Sequence, residues 1–385
     1  MSPEAIYLDY NATTPCDPRV IDAMLPYFGE TYGNPANGFH SQGRKSSTAI
    51  DNAREQVADL VSASSGELVF TSGATESDNL AILGVARLNK HGSRKRIVTS
   101  AIEHKAVLLA CERLRDEGFD VVVLPVDRNG IVDLAQAAKE INGQTLLVTI
   151  HGANNEIGTV QPIRELAAMA HSQGCLFHCD GAQAVGKIPL DVEDWDVDLL
   201  SISAHKIYGP KGVGALYIRG GSKSIAMEPL WYGGGQEQGL RSGTMNVPGI
   251  VGFGAASAIC KTELRDDRRR LSGLRDSLEH SLAERGISVI VNGQNAPRLP
   301  NTSSLTFPYV DADALIANAE GIMIGRGSAC TSGAVEPSHV LTAIGLSREL
   351  ASSTIRVSLG RFCKEDQLPM IVDSLVTGRE RALVA

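Results

Sequence analysis

The chain has 385 residues, of which 43% are apolar and 21% charged, and its mean hydropathy is close to zero. A chain of this length and composition can bury a large core, which predicts two domains and argues against a membrane protein. Its net charge of -8 argues against intrinsic binding to nucleic acid, because no excess of cations is present to release the counterions of a phosphate backbone.

The N-terminal sequence is used to predict the location of the protein, and the cysteines are used to predict whether its thiols are free. Residues 1–10 carry no basic segment followed by an apolar stretch, and no window reaches the roughly 18 apolar residues of a membrane span. We therefore expect a cytoplasmic protein. The seven cysteines are odd in number and form no CxxC pair, so we expect free thiols and neither a disulfide framework nor a metal site.

Apolar strands and amphipathic helical segments alternate through the first two thirds of the chain. This rhythm predicts an α/β fold in which helices cover a mostly parallel, seven-stranded sheet. A helix with alanine and glycine at packing spacing follows the last strand, over 247–264. The predicted strands lie at 67–71, 97–100, 121–124, 146–150, 175–179, 198–203 and 214–219.

Beyond this helix the pattern changes to short strands between charged helices, which predicts a smaller α+β domain. We therefore predict a large domain over residues 15–262 and a small domain over 263–385, which residues 1–14 join. The elements of the small domain are a charged helix from Arg265, strands near 287–291, 303–307 and 355–359, and a closing helix from Glu365.

Polar residues follow several of the predicted strands, and open α/β sheets bind ligands at this edge. The first strand is followed by a glycine turn at Gly73, where the amides of Ala74 and Thr75 open a helix and could bind an anion. Taken alone, this turn is better explained by ordinary helix capping.

Two later strands end in an acid and in a lysine. Asp180 could cap a turn or pair with a cationic heterocycle. Lys206 directly follows an apolar strand, where it could be desolvated enough to act as an amine nucleophile. With Ser203 and His205, these groups offer a phosphate cup, a partner for a pyridinium nitrogen and a Schiff-base amine. Those are the three needs of pyridoxal 5'-phosphate (PLP).

Eight motifs occur in a fixed order along the chain: LDYNATTP at 8–15, TSGATESDN at 71–79, EHK at 103–105, NNEIG at 154–158, SAHKIYGPKGVG at 203–214, RSGT at 241–244, GSACTS at 327–332 and STIRVSLGR at 353–361. In this combination the chain resembles the NifS-like cysteine desulfurases, a branch of the fold-type I, aminotransferase-like PLP enzymes. The resemblance runs nearly end to end.

The resemblance implies roles around the cofactor ring. Lys206 would hold PLP as a Schiff base and then move protons, and Asp180 would keep the ring nitrogen protonated. His104 would stack on the ring and take part in acid–base transfer, although a lone histidine is more often structural. Gln183 and Asn155 would hydrogen-bond the phenolic oxygen of the ring.

The resemblance also implies the phosphate and substrate contacts. Arg356 would grip the carboxylate of L-cysteine with two parallel hydrogen bonds, helped by Asn155 and Asn11. The alternatives are a surface ion pair for Arg356 and a structural role for Asn11. The phosphate would be bound by Ala74, Thr75, Ser203, His205 and the partner subunit's Thr244. The contact from the partner subunit implies a homodimer.

Cys330 distinguishes a desulfurase from related PLP enzymes. It lies in the small-residue stretch 325–333, which predicts a flexible loop, and Arg326 could favour its thiolate. A buried core cysteine is the alternative, and is the role that we expect for Cys175 and Cys179. The resemblance implies that the Cys330 thiolate attacks the sulfur of bound cysteine, which leaves alanine and a persulfide on Cys330.

Three other classes of protein fit the sequence less well. A nicotinamide dehydrogenase would need GxGxxG between a strand and a helix, but the glycines of 209–214 precede a strand. An aminotransferase or a selenocysteine lyase would share Lys206 and Asp180, and Cys330 favours desulfuration over both. A non-enzymatic sulfur-binding scaffold would not need the strand-end lysine.

The chain departs from the family pattern in three places. Residues 325–327 read Gly-Arg-Gly where Ser-Ser-Gly is expected, Ala204 replaces a glycine, and the chain ends soon after its last helix. In the family a longer tail helps to dock an iron–sulfur scaffold protein. The sequence therefore leaves the sulfur acceptor open between iron–sulfur cluster assembly, tRNA thiolation, DNA sulfur modification and another sulfur carrier.

Overall fold

The computed structural model describes residues 5–327 and 337–384. Its strands are β1 (Ile6–Tyr7), β2 (Leu68–Thr71), β3 (Arg96–Ser100), β4 (Asp120–Leu124), β5 (Thr145–His151), β6 (Leu176–Asp180), β7 (Leu199–Ser203), β8 (Gly214–Ile218), β9 (Ile290–Val291), β10 (Thr302–Thr306), β11 (Ile322–Met323) and β12 (Thr354–Ser358).

Its α-helices alternate with the strands in the first half of the chain and surround them. They are α1 (Pro18–Met24), α2 (Pro26–Gly29), α3 (Ser41–Leu60), α4 (Ala74–Leu88), α5 (Lys105–Asp116), α6 (Leu134–Glu140), α7 (Ile163–Ser172), α8 (Val247–Glu284), α9 (Ala312–Asn318), α10 (His339–Ala343), α11 (Arg348–Ser352) and α12 (Leu368–Val384).

The central sheet has seven strands in the order β2-β8-β7-β6-β5-β3-β4. Strands β4, β3, β5, β6 and β7 run parallel, whereas β8 pairs antiparallel with both β7 and β2. Every residue of β5, β7 and β8 is buried, because helices cover both faces of the sheet. The predicted α/β fold with a mostly parallel, seven-stranded sheet is confirmed.

Two smaller sheets lie outside the central one. Strands β12, β10 and β9 form an antiparallel sheet, and β1 pairs in parallel with β11. The N-terminal strand thus joins elements from the C-terminal third of the chain. No helix in the described part of the chain is long and apolar enough to cross a lipid bilayer.

Helix α8 corrects one prediction from the sequence. We expected a helix over 247–264 and a separate charged helix from Arg265, but α8 is a single helix of 38 residues. Its charged middle is mostly exposed to solvent, while leucines from Leu271 onward recur at helical spacing and pack into a second core. The expected domain boundary at 262/263 falls inside this helix, and the division into two domains stays a prediction.

Candidate active site

Loops at the carboxyl ends of the central strands border a cavity of about 560 Å³. The structure brings most of the predicted site residues together there. The cavity is lined by Asn11, Ala74, Thr75, His104, Asn155, Asp180, Gln183, Ser203, His205, Lys206 and Arg356, among others. Of the remaining two predicted residues, Thr244 is exposed and does not line the cavity, and Cys330 lies outside the described residues.

Lys206 lies in a short turn that directly follows β7. Its amine donates hydrogen bonds to the backbone carbonyls of Asn11 at 2.6 Å and Ala12 at 2.7 Å. The N-terminal segment therefore holds the lysine at the wall of the cavity. Beside it, Nδ1 of His205 contacts the hydroxyl of Thr13 at 3.0 Å, and burial lowers the pKa of His205 to about 4. His205 is therefore neutral at physiological pH.

Asp180 ends β6 as a buried acid and also caps a turn. Its Oδ1 accepts a hydrogen bond from the backbone N–H of Ala182 at 2.9 Å, so the capping role considered from the sequence is present. Burial raises the pKa of the Asp180 carboxyl, while His104 lowers it by a smaller amount. A cationic partner in the cavity would remove this penalty on the ionised form.

A contact between a histidine and a carboxylate lies behind Asp180 and was missed from the sequence. His151 ends β5 directly opposite Asp180, and its Nδ1 is 3.2 Å from Oε2 of Glu103. Burial opposes the charged ring, but Glu103 is close enough to raise the pKa of His151 overall. The ring's Nε2 is buried and has no partner among the described residues. Glu103 stood in the motif beside His104, but nothing in its spacing revealed this contact.

The glycine turn after β2 has the form of an anion site. Gly73 adopts φ +148°, a backbone conformation that favours glycine, and offers no side chain to cap α4. The amides of Ala74 and Thr75 therefore border the cavity without a hydrogen-bond acceptor in the described part of the chain. A side chain at Gly73 would point toward the hydroxyl of Ser203 at 3.8 Å, so the two predicted phosphate contacts are neighbours.

His104 both caps a helix and lines the cavity. Its Nδ1 accepts a hydrogen bond from the amide of Ala106 at 3.2 Å, in the first turn of α5. Burial lowers the pKa of the ring, which favours the neutral form with the proton on Nε2. The structural role expected for a lone histidine is thus present, and it orients the ring.

The three predicted amide side chains differ in how many hydrogen bonds they already make within the protein. Nδ2 of Asn11 donates its two hydrogens to the carbonyl of Asn155 and to the hydroxyl of Thr302, and this disfavours a role in substrate binding. Nε2 of Gln183 donates to the carbonyl of Asn11 at 3.0 Å and has one hydrogen left. The side-chain amide of Asn155 makes no hydrogen bond to any described residue, so it can take a ligand.

Arg356 is buried in β12 and is held by three elements. Its Nη1 donates to the carbonyls of Asn155 at 2.9 Å and Gly327 at 3.1 Å, and its Nη2 lies 2.5 Å from Oδ1 of Asp9. The surface position that was the alternative for Arg356 is therefore excluded. The expected bidentate grip on a substrate is not preformed, because Asp9 already holds Nη2.

A second, half-buried lysine next to the cavity was also missed. Nζ of Lys187 donates to Oδ1 of Asn11 at 2.9 Å and to Oε1 of Gln183. Burial, and then the charge of Lys206, hold its pKa well below the usual range of a lysine. Its sequence context is an ordinary turn, which gave no signal of this position. Lys211 is the only other lysine near the end of β7 in the sequence, and it lines the cavity and donates to the carbonyl of Thr14.

The six described cysteines do not line the cavity. Cys175 and Cys179 are buried in the core, as predicted. Burial raises the pKa of Cys111 and of Cys260 to about 12, so neither thiol is ionised at physiological pH. Arg326, expected to favour a thiolate at Cys330, forms an ion pair with a carboxylate of α9 at 2.8 Å, which offsets its charge.

Known proteins resemble this chain in sequence and in fold. The chain matches the aminotransferase class-V family over residues 6–370. It is 46% identical to a human protein named cysteine desulfurase, over 96% of this chain and 81% of that protein. The chain belongs to the cysteine desulfurases of the aminotransferase class-V family. Within it, a protein of Anaeromyxobacter sp. strain Fw109-5 named cysteine desulfurase IscS is 47% identical, over 96% of this chain and 91% of that protein.

Solved structures of the family agree with this assignment. A NifS-like protein superposes with a TM-score of 0.89 at 38% identity, covering 96% of this chain and 98% of the other. SspA in complex with cysteine superposes with a TM-score of 0.81 at 39% identity, covering 92% and 98% of the two chains.

Cysteine desulfurases of this family depend on PLP, and the cavity fits that cofactor. Unbonded amides at Ala74 and Thr75 suit its phosphate, and the buried acid Asp180 suits a pyridinium nitrogen. The amine of Lys206 lines the same cavity. The described residues hold no cluster of three or more histidine, cysteine or acidic side chains that could bind a metal ion.

Proposed function

We propose that this chain removes sulfur from L-cysteine with PLP bound at Lys206, giving L-alanine and a persulfide on Cys330. The observation that carries the proposal is the meeting of Lys206, Asp180 and the glycine-turn amides in one cavity, in a chain 46% identical to a named cysteine desulfurase. When bound, PLP would supply an electron sink for the bond changes at the substrate's α-carbon.

The residues of the chain would divide the remaining work. The Lys206 amine, once free, would carry protons to and from the α-carbon, and neutral His104 would donate from Nε2. Asp180 would balance the charge of a protonated ring nitrogen. Arg356 would bind the substrate carboxylate, with the unbonded amide of Asn155 beside it.

Sulfur transfer would then need one thiolate. Attack by Cys330 on the substrate sulfur forms an S–S bond and breaks the bond between that sulfur and the β-carbon, which is protonated to give alanine. Sulfur leaves the substrate as the outer atom of the persulfide, so no external oxidant is required. The low acidity of the buried thiols, such as Cys111 and Cys260, supports Cys330 as the nucleophile.

The finer assignments extend this proposal. We propose a homodimer in which the partner subunit's Thr244 completes the phosphate site, and the exposed position of Thr244 in this chain suits that arrangement. We also propose a cytoplasmic location and a sulfur-acceptor protein as partner, either an iron–sulfur scaffold or another sulfur carrier. Identifying the protein that co-purifies with the persulfide form would name the acceptor.

The test compares three lysines. Lys206→Ala should prevent covalent binding of PLP and abolish alanine formation from cysteine, while Lys187→Ala and Lys211→Ala serve as matched controls near the same cavity. Borohydride reduction of the wild-type enzyme, followed by peptide mapping, should place the pyridoxyl group on Lys206. A pyridoxyl group on Lys187 or Lys211 would refute the assignment. Alanine formation that requires a keto acid would instead indicate a transaminase.

A further inference from the structure

Asp9 belongs to the first sequence motif but has no part in the proposed reaction. Its carboxylate contacts the arginine assigned to the substrate, with 2.5 Å between Oδ1 and Nη2 of Arg356. The backbone fixes this contact, because Asp9 pairs with Ser358, two residues beyond Arg356 on β12. The strand pairing therefore keeps the Asp9 carboxylate next to the guanidinium of Arg356.

The guanidinium of Arg356 has little room for another ligand. Its side chain is only 3% exposed, and both contacts of Nη1 go to backbone carbonyls. Nε is buried without a partner in the described part of the chain, so the arginine is under-bonded as it stands. Because both hydrogens of Nη1 are used by backbone carbonyls, a carboxylate that takes two hydrogen bonds from this guanidinium must take at least one from Nη2, where it meets the carboxylate of Asp9.

We propose that Asp9 is an internal competitor that occupies the substrate-carboxylate site on Arg356 and sets its affinity. This inference rests on the proposed function, which assigns Arg356 to the carboxylate of cysteine. Asp9 is 21% exposed, so water can solvate its carboxylate when the amino acid takes its place. Competition of this kind weakens the binding of substrate and product alike, and so speeds the release of alanine.

The experiment measures equilibrium binding to the PLP-loaded enzyme. L-Alanine is the probe, and ethylamine is the matched control ligand, because it has the same amine and methyl group without the carboxylate. Asp9→Asn keeps the size and the oxygen acceptor of Asp9 but removes its charge. We expect the variant to bind alanine roughly three- to tenfold more tightly than the wild type, with ethylamine binding unchanged.

Two other outcomes would refute either the competition by Asp9 or the assignment of Arg356. If Asp9→Asn binds alanine with wild-type or lower affinity, Asp9 orients Arg356 and does not compete, and the inference is wrong. Should this variant fail to fold, Asp9→Ser removes the same charge and gives the same test. If Arg356→Lys keeps the wild-type preference for alanine over ethylamine, it is the assignment of Arg356 in the proposed function that fails.

Discussion

Arg356→Lys separates the charge of the proposed carboxylate ligand from its shape. The wild-type guanidinium bonds to two backbone carbonyls through Nη1 and to Asp9 through Nη2. A lysine carries its three donors on one nitrogen and cannot reach acceptors spread around a planar fork. We expect the ammonium of the variant to keep the ion pair with Asp9 and to lose the hydrogen bonds to the carbonyls of Asn155 and Gly327.

The size of the effect follows from the bonds lost. A hydrogen bond from a charged donor contributes about 1.5–3 kcal/mol, and a single ammonium can offer a substrate carboxylate one such bond in place of two. We therefore expect cysteine binding to weaken by about 2 kcal/mol, or roughly 30-fold. PLP binding should change far less, because Arg356 makes no contact with the glycine-turn amides or Asp180.

The assay is a spectroscopic titration of the PLP-loaded variant with cysteine, together with KM and the retained PLP. Arg298→Lys is a suitable control, because the side chain of Arg298 is only 8% exposed and binds both carboxylate oxygens of Glu279, at 2.8 and 3.0 Å, outside the cavity. The control should lose stability but keep its affinity for cysteine. An unchanged KM for cysteine in Arg356→Lys would refute the role as a carboxylate ligand.

Asp180→Asn should retain PLP, since asparagine can still accept the hydrogen bond from Ala182, but it should slow proton removal; wild-type turnover would exclude Asp180 from the ring nitrogen. Because burial raises the Asp180 pKa, the ionised carboxyl destabilises the cofactor-free protein at pH 7, so the variant without PLP should unfold at an equal or higher denaturant concentration. Cys330→Ser should fold and bind both PLP and cysteine but release no alanine or sulfide, because a hydroxyl is a poor nucleophile towards sulfur. Without reductant, wild-type enzyme should gain one sulfur atom on the Cys330 peptide by mass spectrometry, and an extra sulfur on Cys363 or Cys111 would contradict the mechanism.

The sequence predicted the central sheet well because its signals are local. Buried parallel strands appear as short apolar runs, and the polar residues that follow them meet at one edge of the sheet. Asp180 and Lys206 could be found in this way before any contact was known. Helix α8 was misjudged for a local reason as well, since the charges around Arg265 resemble a helix boundary when they are simply the exposed middle of a long helix.

The electrostatic environment of the site could not be predicted in the same way. Asp9 and Arg356 are 347 positions apart and meet only through pairing of β12 with the N-terminal segment. Lys187 lies in an ordinary turn, and only the fold places it close enough to Lys206 for the two charges to interact. Such contacts depend on tertiary packing, so the sequence could suggest which residues are chemically able but not how they are already bonded.

The contacts of Arg356 also decide which measurement tests it. Cys330 lies outside the described residues, but described residues on both sides of it contact residues that line the cavity. The carbonyl of Gly327, three positions before Cys330 in the sequence, accepts from Nη1 of Arg356, and on the other side Ser338 donates to Glu156 at 2.5 Å. Glu156 directly follows Asn155, whose carbonyl also accepts a hydrogen bond from Nη1 of Arg356. Replacing Arg356 thus alters both the substrate-carboxylate site and the hydrogen bond to Gly327. A fall in turnover could arise from either change, whereas weaker equilibrium binding of alanine with unchanged binding of ethylamine can arise only from the carboxylate site.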